Sequence, residues 1–163
     1  MPVVLQNRQR VVAIDRAWLR RTAEAILSAA RADGAELSLV LVSDRRMRAL
    51  NKRYRNKDRT TDVLAFPLTP SHPSPLEGEG VGGGAHHSSP TMLLGDVAIS
   101  METARRQASE FGHSLRDEVA RLLVHGVLHL LGYDHERGPR DAALMARKEK
   151  AILKTVNRNH QSA

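Results

Sequence analysis

The chain has no cysteine among its 163 residues, so no disulfide can staple it and no thiolate can hold a metal. Any metal chemistry must fall to imidazole or carboxylate. Aromatic residues are scarce, with one Trp, two Tyr and two Phe, which leaves little for stacking bases along a single strand. No apolar run approaches the roughly 20 residues of a membrane span, and the apolar stretch at the N-terminus is too short for a signal peptide. We therefore expect a soluble, cytoplasmic protein with no membrane association. A chain of 163 residues can bury one core without staples, and a single domain over 1–163 is expected.

Basic residues are plentiful. The formal net charge is +7, which favours a polyanionic partner. Its distribution is more telling, because Arg45, Arg46, Arg48, Lys52, Arg53, Arg55, Lys57 and Arg59 are opposed only by Asp58 across that stretch. Attraction to a phosphate backbone is better supported there than readout of bases.

Patterning gives a coarse outline. Val3 to Leu5 and Val11 to Ile14 read as strand, either an edge hairpin or one strand with an irregular stretch, and Asp15 caps a helix to about Arg31. Ala35 to Val42 reads as a strand, and Ser43 or Asp44 opens a helix from Arg45 to about Arg53. Val63 to Leu68 and Leu93 to Ser100 are further strands. Ser100 caps a helix to Phe111, Ser114 starts the next, and Pro139 begins a last one to about Val156. Thr69 to Pro90 is rich in glycine and proline and reads as a flexible insertion within one domain. Its His72, His86 and His87 are weak metal candidates, because a flexible loop loses entropy on binding. The fold class is α+β: a small mixed β-sheet packed with about five helices, the metal-bearing helix central as in zincin-like folds.

That helix carries the chemistry. His125 and His129 stand four residues apart in the apolar run Leu-Leu-Val-His-Gly-Val-Leu-His-Leu-Leu, so both imidazoles leave one helical face. Gly132 then stops the helix and lets the chain turn back to deliver His135. Three protein ligands with the fourth position left to water is the catalytic zinc pattern, and the spacing matches the long zinc signature H-E-x-x-H-x-x-G-x-x-H. One position departs from it. The glutamate that serves peptidases as general base is here Gly126, which disfavours a metallopeptidase and favours a charged substrate such as a phosphodiester. Asp134 and Glu136 flank the third histidine and Asp96 is placed at a strand end, so each is a candidate for orienting a ligand or relaying a proton, although turn-stabilising roles fit them better.

These residues resemble a known family. The run from His125 to His135, together with Leu50-Asn51-Lys52-Arg53-Tyr54-Arg55, Thr61-Asp62-Val63-Leu64-Ala65-Phe66-Pro67 and Leu94-Gly95-Asp96-Val97, is similar to the bacterial YbeY endoribonucleases. The resemblance implies a zinc-dependent, single-strand-specific endoribonuclease acting in 16S rRNA 3′-end maturation and ribosome quality control. It also implies one Zn²⁺ on His125, His129 and His135, a required Arg55, and the small ribosomal subunit with its assembly factors as partners. Ala65 stands where the family more often has serine, and the insertion at 69–90 is longer than expected between these strands. Arg55 would fork two hydrogen bonds to the phosphate as charge grows on it. Whether water or the substrate's own 2′-hydroxyl attacks is left open by the residues. The rival from another class is a non-catalytic ribosome-binding factor in which zinc only braces the fold.

Overall fold

The computed structural model describes residues 3–68 and 93–161. In chain order it contains β1 (Val3–Asn7), α1 (Arg16–Ala29), β2 (Glu36–Val42), α2 (Asp44–Arg55), β3 (Val63–Pro67) and β4 (Leu93–Ser100). There follow α3 (Met101–Phe111), α4 (Leu115–Leu130), a 3-10 turn at His135–Arg137 and α5 (Pro139–Gln161). The insertion expected at 69–90, with His72, His86 and His87, lies outside the described residues.

The strands form one mixed sheet in the order β1-β2-β4-β3, in which β1, β2 and β4 are parallel and β3 runs antiparallel to β4. Alternation along the strands divides the core between the two faces. Leu37, Leu39 and Leu41 of β2 and Val97 and Ile99 of β4 join the main core with residues of α1, α4 and α5. Their neighbours Val40, Val42 and Ala98 join Leu64 and Phe66 of β3 in a smaller cluster closed by Met47 of α2. This is the α+β arrangement that the sequence implies.

Helix α4 runs through the main core. The Ser114 hydroxyl accepts from the Asp117 N–H at 3.1 Å, and Asp117 and Glu118 place negative charge in the first turn, both favourable at a helix N-terminus. Leu122, Leu123, Val124, Val127 and Leu128 are essentially inaccessible; truncating any of the leucines would cost about 2–5 kcal/mol. The helix ends in a Schellman turn, with Tyr133 N–H on Leu128 O, Gly132 N–H on His129 O, and Gly132 at φ +99°. That backbone angle is why a glycine ends the helix.

The structure corrects the outline in several places. Val11 to Ile14 is not a strand but an irregular passage into α1, held where the Gln9 side chain exchanges hydrogen bonds with the Val12 backbone at 2.8 and 2.9 Å. Local side-chain bonding has replaced a sheet ladder there. Helix α1 stops at Ala29, with Arg31 at φ 59°, while α5 continues past Val156 to Gln161. Ser100 precedes α3 but makes no side-chain cap, because its hydroxyl donates to Asp44 Oδ1 instead.

Asp44 is the junction between α2, the end of β4 and α3. Its carboxylate accepts from Ser100 Oγ and Thr103 Oγ1, both at 2.6 Å, and pairs with Arg106 at 2.8 Å, while its own N–H donates to Glu102 Oε1. Burial works to raise its pKa, yet hydrogen bonds from Arg106, Ser100 and Thr103 outweigh burial and hold it below 3.8. Its contribution is present above the ordinary carboxylate range and is lost as pH falls through the folded value. Asp44→Ala should lower the unfolding free energy by about 2–3 kcal/mol, read as a shift in the urea midpoint, with less sensitivity to acid below pH 4 than the parent.

Candidate metal centre

The three histidines converge. His125 and His129 project from consecutive turns of α4, and the Schellman turn brings His135 across from the 3-10 turn. Ring centroids lie 4.7 Å apart for His125 and His129, and 5.3 Å from each of them to His135. One nitrogen from each ring falls in a group whose members lie within 4.8 Å of one another, a set that could hold a metal ion. His125 Nε2 stands 3.1 Å from His129 Nε2. The donors are all imidazole nitrogens, a chemistry that suits zinc and other transition metals rather than calcium or magnesium.

Protonation favours the same role. Burial pushes the His129 imidazole below its ordinary 6.5, and the nearness of His125 and His135 adds to the shift against opposing Asp134 and Glu136. A ligand must offer a lone pair, so an imidazole kept neutral is prepared for one. On His125 the far nitrogen is occupied, with Nδ1 2.5 Å from Glu149 Oε1 of α5. Glu149 is missing from the carboxylates the sequence offers for such work, Asp134, Glu136 and Asp96, for which turn-stabilising roles are the better fit. Asp134 accepts from the Glu136 N–H at 2.9 Å and faces Arg137 at 3.5 Å, so it stabilises the turn. Asp96 does not end a strand. It sits in the middle of β4, 1 % exposed, with Phe66 opposite, and is not among the residues lining the cleft.

The histidines open onto a cleft of about 840 Å³. Its opposite wall is β3 with the end of α2 and the loop after it, including Arg55, Lys57, Arg59 and Ala65. Of the eight cations between Arg45 and Arg59, these three reach the cleft. Arg45, Arg46, Arg48, Lys52 and Arg53 are exposed on α2, Arg48 paired with Asp58 at 2.8 Å. Arg55 Nη2 donates to Ala65 O at 2.6 Å, and its guanidinium lies 5.3 Å from the Phe66 ring centroid. One donor is thereby anchored on the wall, leaving the rest of the fork for an incoming anion.

Two features set this cleft apart from that of a zinc peptidase. A Cβ built on Gly126 would meet Val97 Cγ1 at 2.8 Å and Cγ2 at 3.1 Å, so α4 rests on β4 where a zinc peptidase carries its glutamate. The edge of β3 that no described strand pairs is the second. Ser100 N–H donates to Asp62 O and Leu68 N–H to Leu94 O, so Val63, Ala65 and Pro67 turn their backbone groups outward. Val63 N–H is taken by Asp62 Oδ1 at 2.7 Å, Ala65 O by Arg55, and Pro67 has no N–H. The outward ladder is broken at each of its three residues, so an extended peptide finds no continuous edge to pair with.

The family profile described as endoribonuclease YbeY matches residues 4–157 of the chain. Endoribonuclease YbeY of Pelotomaculum thermopropionicum is 45% identical over 161 residues, covering 96% of this chain and 98% of that one. The Aquifex aeolicus protein of the same description is 42% identical over 156 residues, covering 96% and 92%. A Thermotoga maritima protein solved in solution superposes with a TM-score of 0.62 over 98% of this chain and 92% of that one, at 23% identity, and so shares the fold.

Gly126→Ala should lower stability by about 1 kcal/mol net, since about 1–3 kcal/mol of overpacking against Val97 exceeds a helix-propensity gain of about 1 kcal/mol; a thermal melt measures it. Because the folded pKa of His129 lies below 6.5, the unfolded chain binds more protons as pH drops through that value. The metal-free protein should therefore lose stability on acidification below pH 6.5, and His129→Asn should show a shallower fall in melting temperature between pH 7.5 and 5.

Proposed function

The chain belongs to the endoribonuclease YbeY family, and from that premise we propose that it cleaves single-stranded RNA in this cleft, with one zinc ion on His125, His129 and His135. The proposed cellular role is 16S rRNA 3′-end maturation and ribosome quality control in the cytoplasm, on the small ribosomal subunit and beside its assembly factors. The observation that carries the reading is the facing of three converging imidazoles by a guanidinium-lined wall across one cleft. When bound, zinc supplies Lewis acidity towards oxygen.

The chain's own residues perform the rest. Arg55, anchored on Ala65 O, presents its remaining N–H donors to a phosphate and stabilises the charge that grows on it during cleavage. Lys57 and Arg59 hold the flanking backbone by charge alone. Arg45, Arg48 and Lys52 follow Arg55 back along α2 at helical spacing and are exposed, extending a cationic track away from the cleft. With Tyr54 half-buried against Phe66 at 5.6 Å, the track offers phosphate contacts rather than a stacking platform.

Incubation with single-stranded rRNA-like RNA and with casein, with and without chelator, tests the reading directly. Chelator-sensitive cleavage of RNA alone is expected, and chelator-insensitive cleavage would overturn the metal's role. Arg55→Ala should slow turnover by about 10²–10³-fold with metal content unchanged. His129→Ala should abolish cleavage while folding and RNA binding persist, whereas outright unfolding would favour a purely bracing metal. RNA affinity should fall steeply with salt.

A further inference from the structure

Helix α5 carries a carboxylate where a core residue is due. Met145, Ile152 and Val156 form its buried stripe, and Glu149, four residues after Met145 and three before Ile152, falls on the same stripe. Its neighbours in sequence, Arg147, Lys148 and Lys150, are exposed, so the run looks like a solvated charged face. Glu149 is nonetheless turned inward, its side chain only 23% exposed, with Oε1 2.5 Å from His125 Nδ1. A carboxylate on a packing stripe loses hydration and persists only with a partner.

Helix α4 has a matching row. Glu118, Arg121, His125 and His129 recur at helical spacing along one face. Glu118 is fully buried between His113 Nε2, at 2.5 Å, and the Arg121 guanidinium. Arg121 is held charged by its bond to Glu118, and Glu149 lies within its electrostatic reach. Among the described residues, His125 alone of the three histidines has a protein group on its second ring nitrogen.

We propose that Glu149 is the positioning residue of the histidine cluster: accepting from His125 Nδ1–H, it fixes the tautomer and ring rotation that turn the Nε2 lone pair towards His129 and His135. The inference rests on the metal-centre reading above. It also makes α5 part of the site, since docking of α5 on α4 delivers the carboxylate. A carboxylate on the far nitrogen strengthens the imidazole as a donor, and its loss in comparable sites weakens metal affinity about 10–100-fold.

The test is competition of the zinc-loaded protein against a chromophoric chelator, for the parent, Glu149→Ala, Glu149→Gln and His129→Ala. Glu149→Ala should weaken zinc binding by about 10–100-fold, and Glu149→Gln, which keeps an acceptor without its charge, should fall between it and the parent. Parental affinity in both Glu149 variants, alongside loss in His129→Ala, would overturn the positioning role alone. Parental affinity in His129→Ala would overturn the metal-centre reading itself. ¹⁵N-histidine spectra supply a readout independent of metal: the parent should show His125 protonated at Nδ1, and Glu149→Ala should redistribute the proton. An unchanged tautomer in a folded variant would refute the proposal, and should the alanine variant unfold, the isosteric glutamine variant carries both measurements.

Discussion

The seating of α4 on the sheet is the constraint from which the site follows. One side of the helix buries Leu122, Leu123, Val127 and Leu128 in the main core, and Gly126 lets its backbone approach Val97 of β4 more closely than any larger residue would allow. The remaining stripe runs from Glu118, buried against His113 and Arg121, to His125 and His129, which line the cleft. Polar groups on that stripe are satisfied one by one along the helix, Glu118 by His113 and Arg121, and His125 by Glu149. The helix ends in a turn that only a positive φ permits, and the chain reverses in time for His135 to join the other two.

Opposite the histidines, the antiparallel strand β3 forms a wall whose outward ladder is interrupted at each residue, by Asp62 on Val63 N–H, by Arg55 on Ala65 O and by the missing N–H of Pro67. Arg55 contributes to that closure and to the positive lining of the cleft in one contact, since the guanidinium that occupies Ala65 O still faces the opening with its other donors. A surface of this kind accepts a charged backbone more readily than an extended peptide. The absence of a glutamate after His125 and the broken ladder of β3 point to the same exclusion through unrelated physics, one steric and one a matter of hydrogen bonding.

The basic helix α2 is kept in place by an acidic residue at its start. Asp44 gathers Ser100, Thr103 and Arg106, and so locks the orientation of a helix whose other charges mostly face solvent. Without such a junction, a segment with this density of like charge would gain little from packing, because among the described residues only Met47 and Asn51 of the helix are buried. The position of the cationic wall is thus tied to a few polar contacts at the end of β4.

The sequence by itself determined what depends on neighbours within a turn or two. The spacing of His125 and His129, the stop at Gly132, the caps at Asp15 and Ser114, the choice of Ser43 or Asp44 that falls to Ser43, and the apolar strand runs of β2 and β4 are all local rules, and each holds in the structure. Local rules failed where a side chain competed for the backbone, as Gln9 does before Val12, and Asp96, read at a strand end although Leu93–Ser100 is strand throughout, stands in mid-strand. Only the tertiary structure decided that Glu149 meets His125 across 24 residues, that three of eight clustered cations reach the cleft, and that Arg55 rests on β3. Those contacts arise from which helix faces share a core and which strand is left at the sheet edge, and no periodicity within a single segment encodes either.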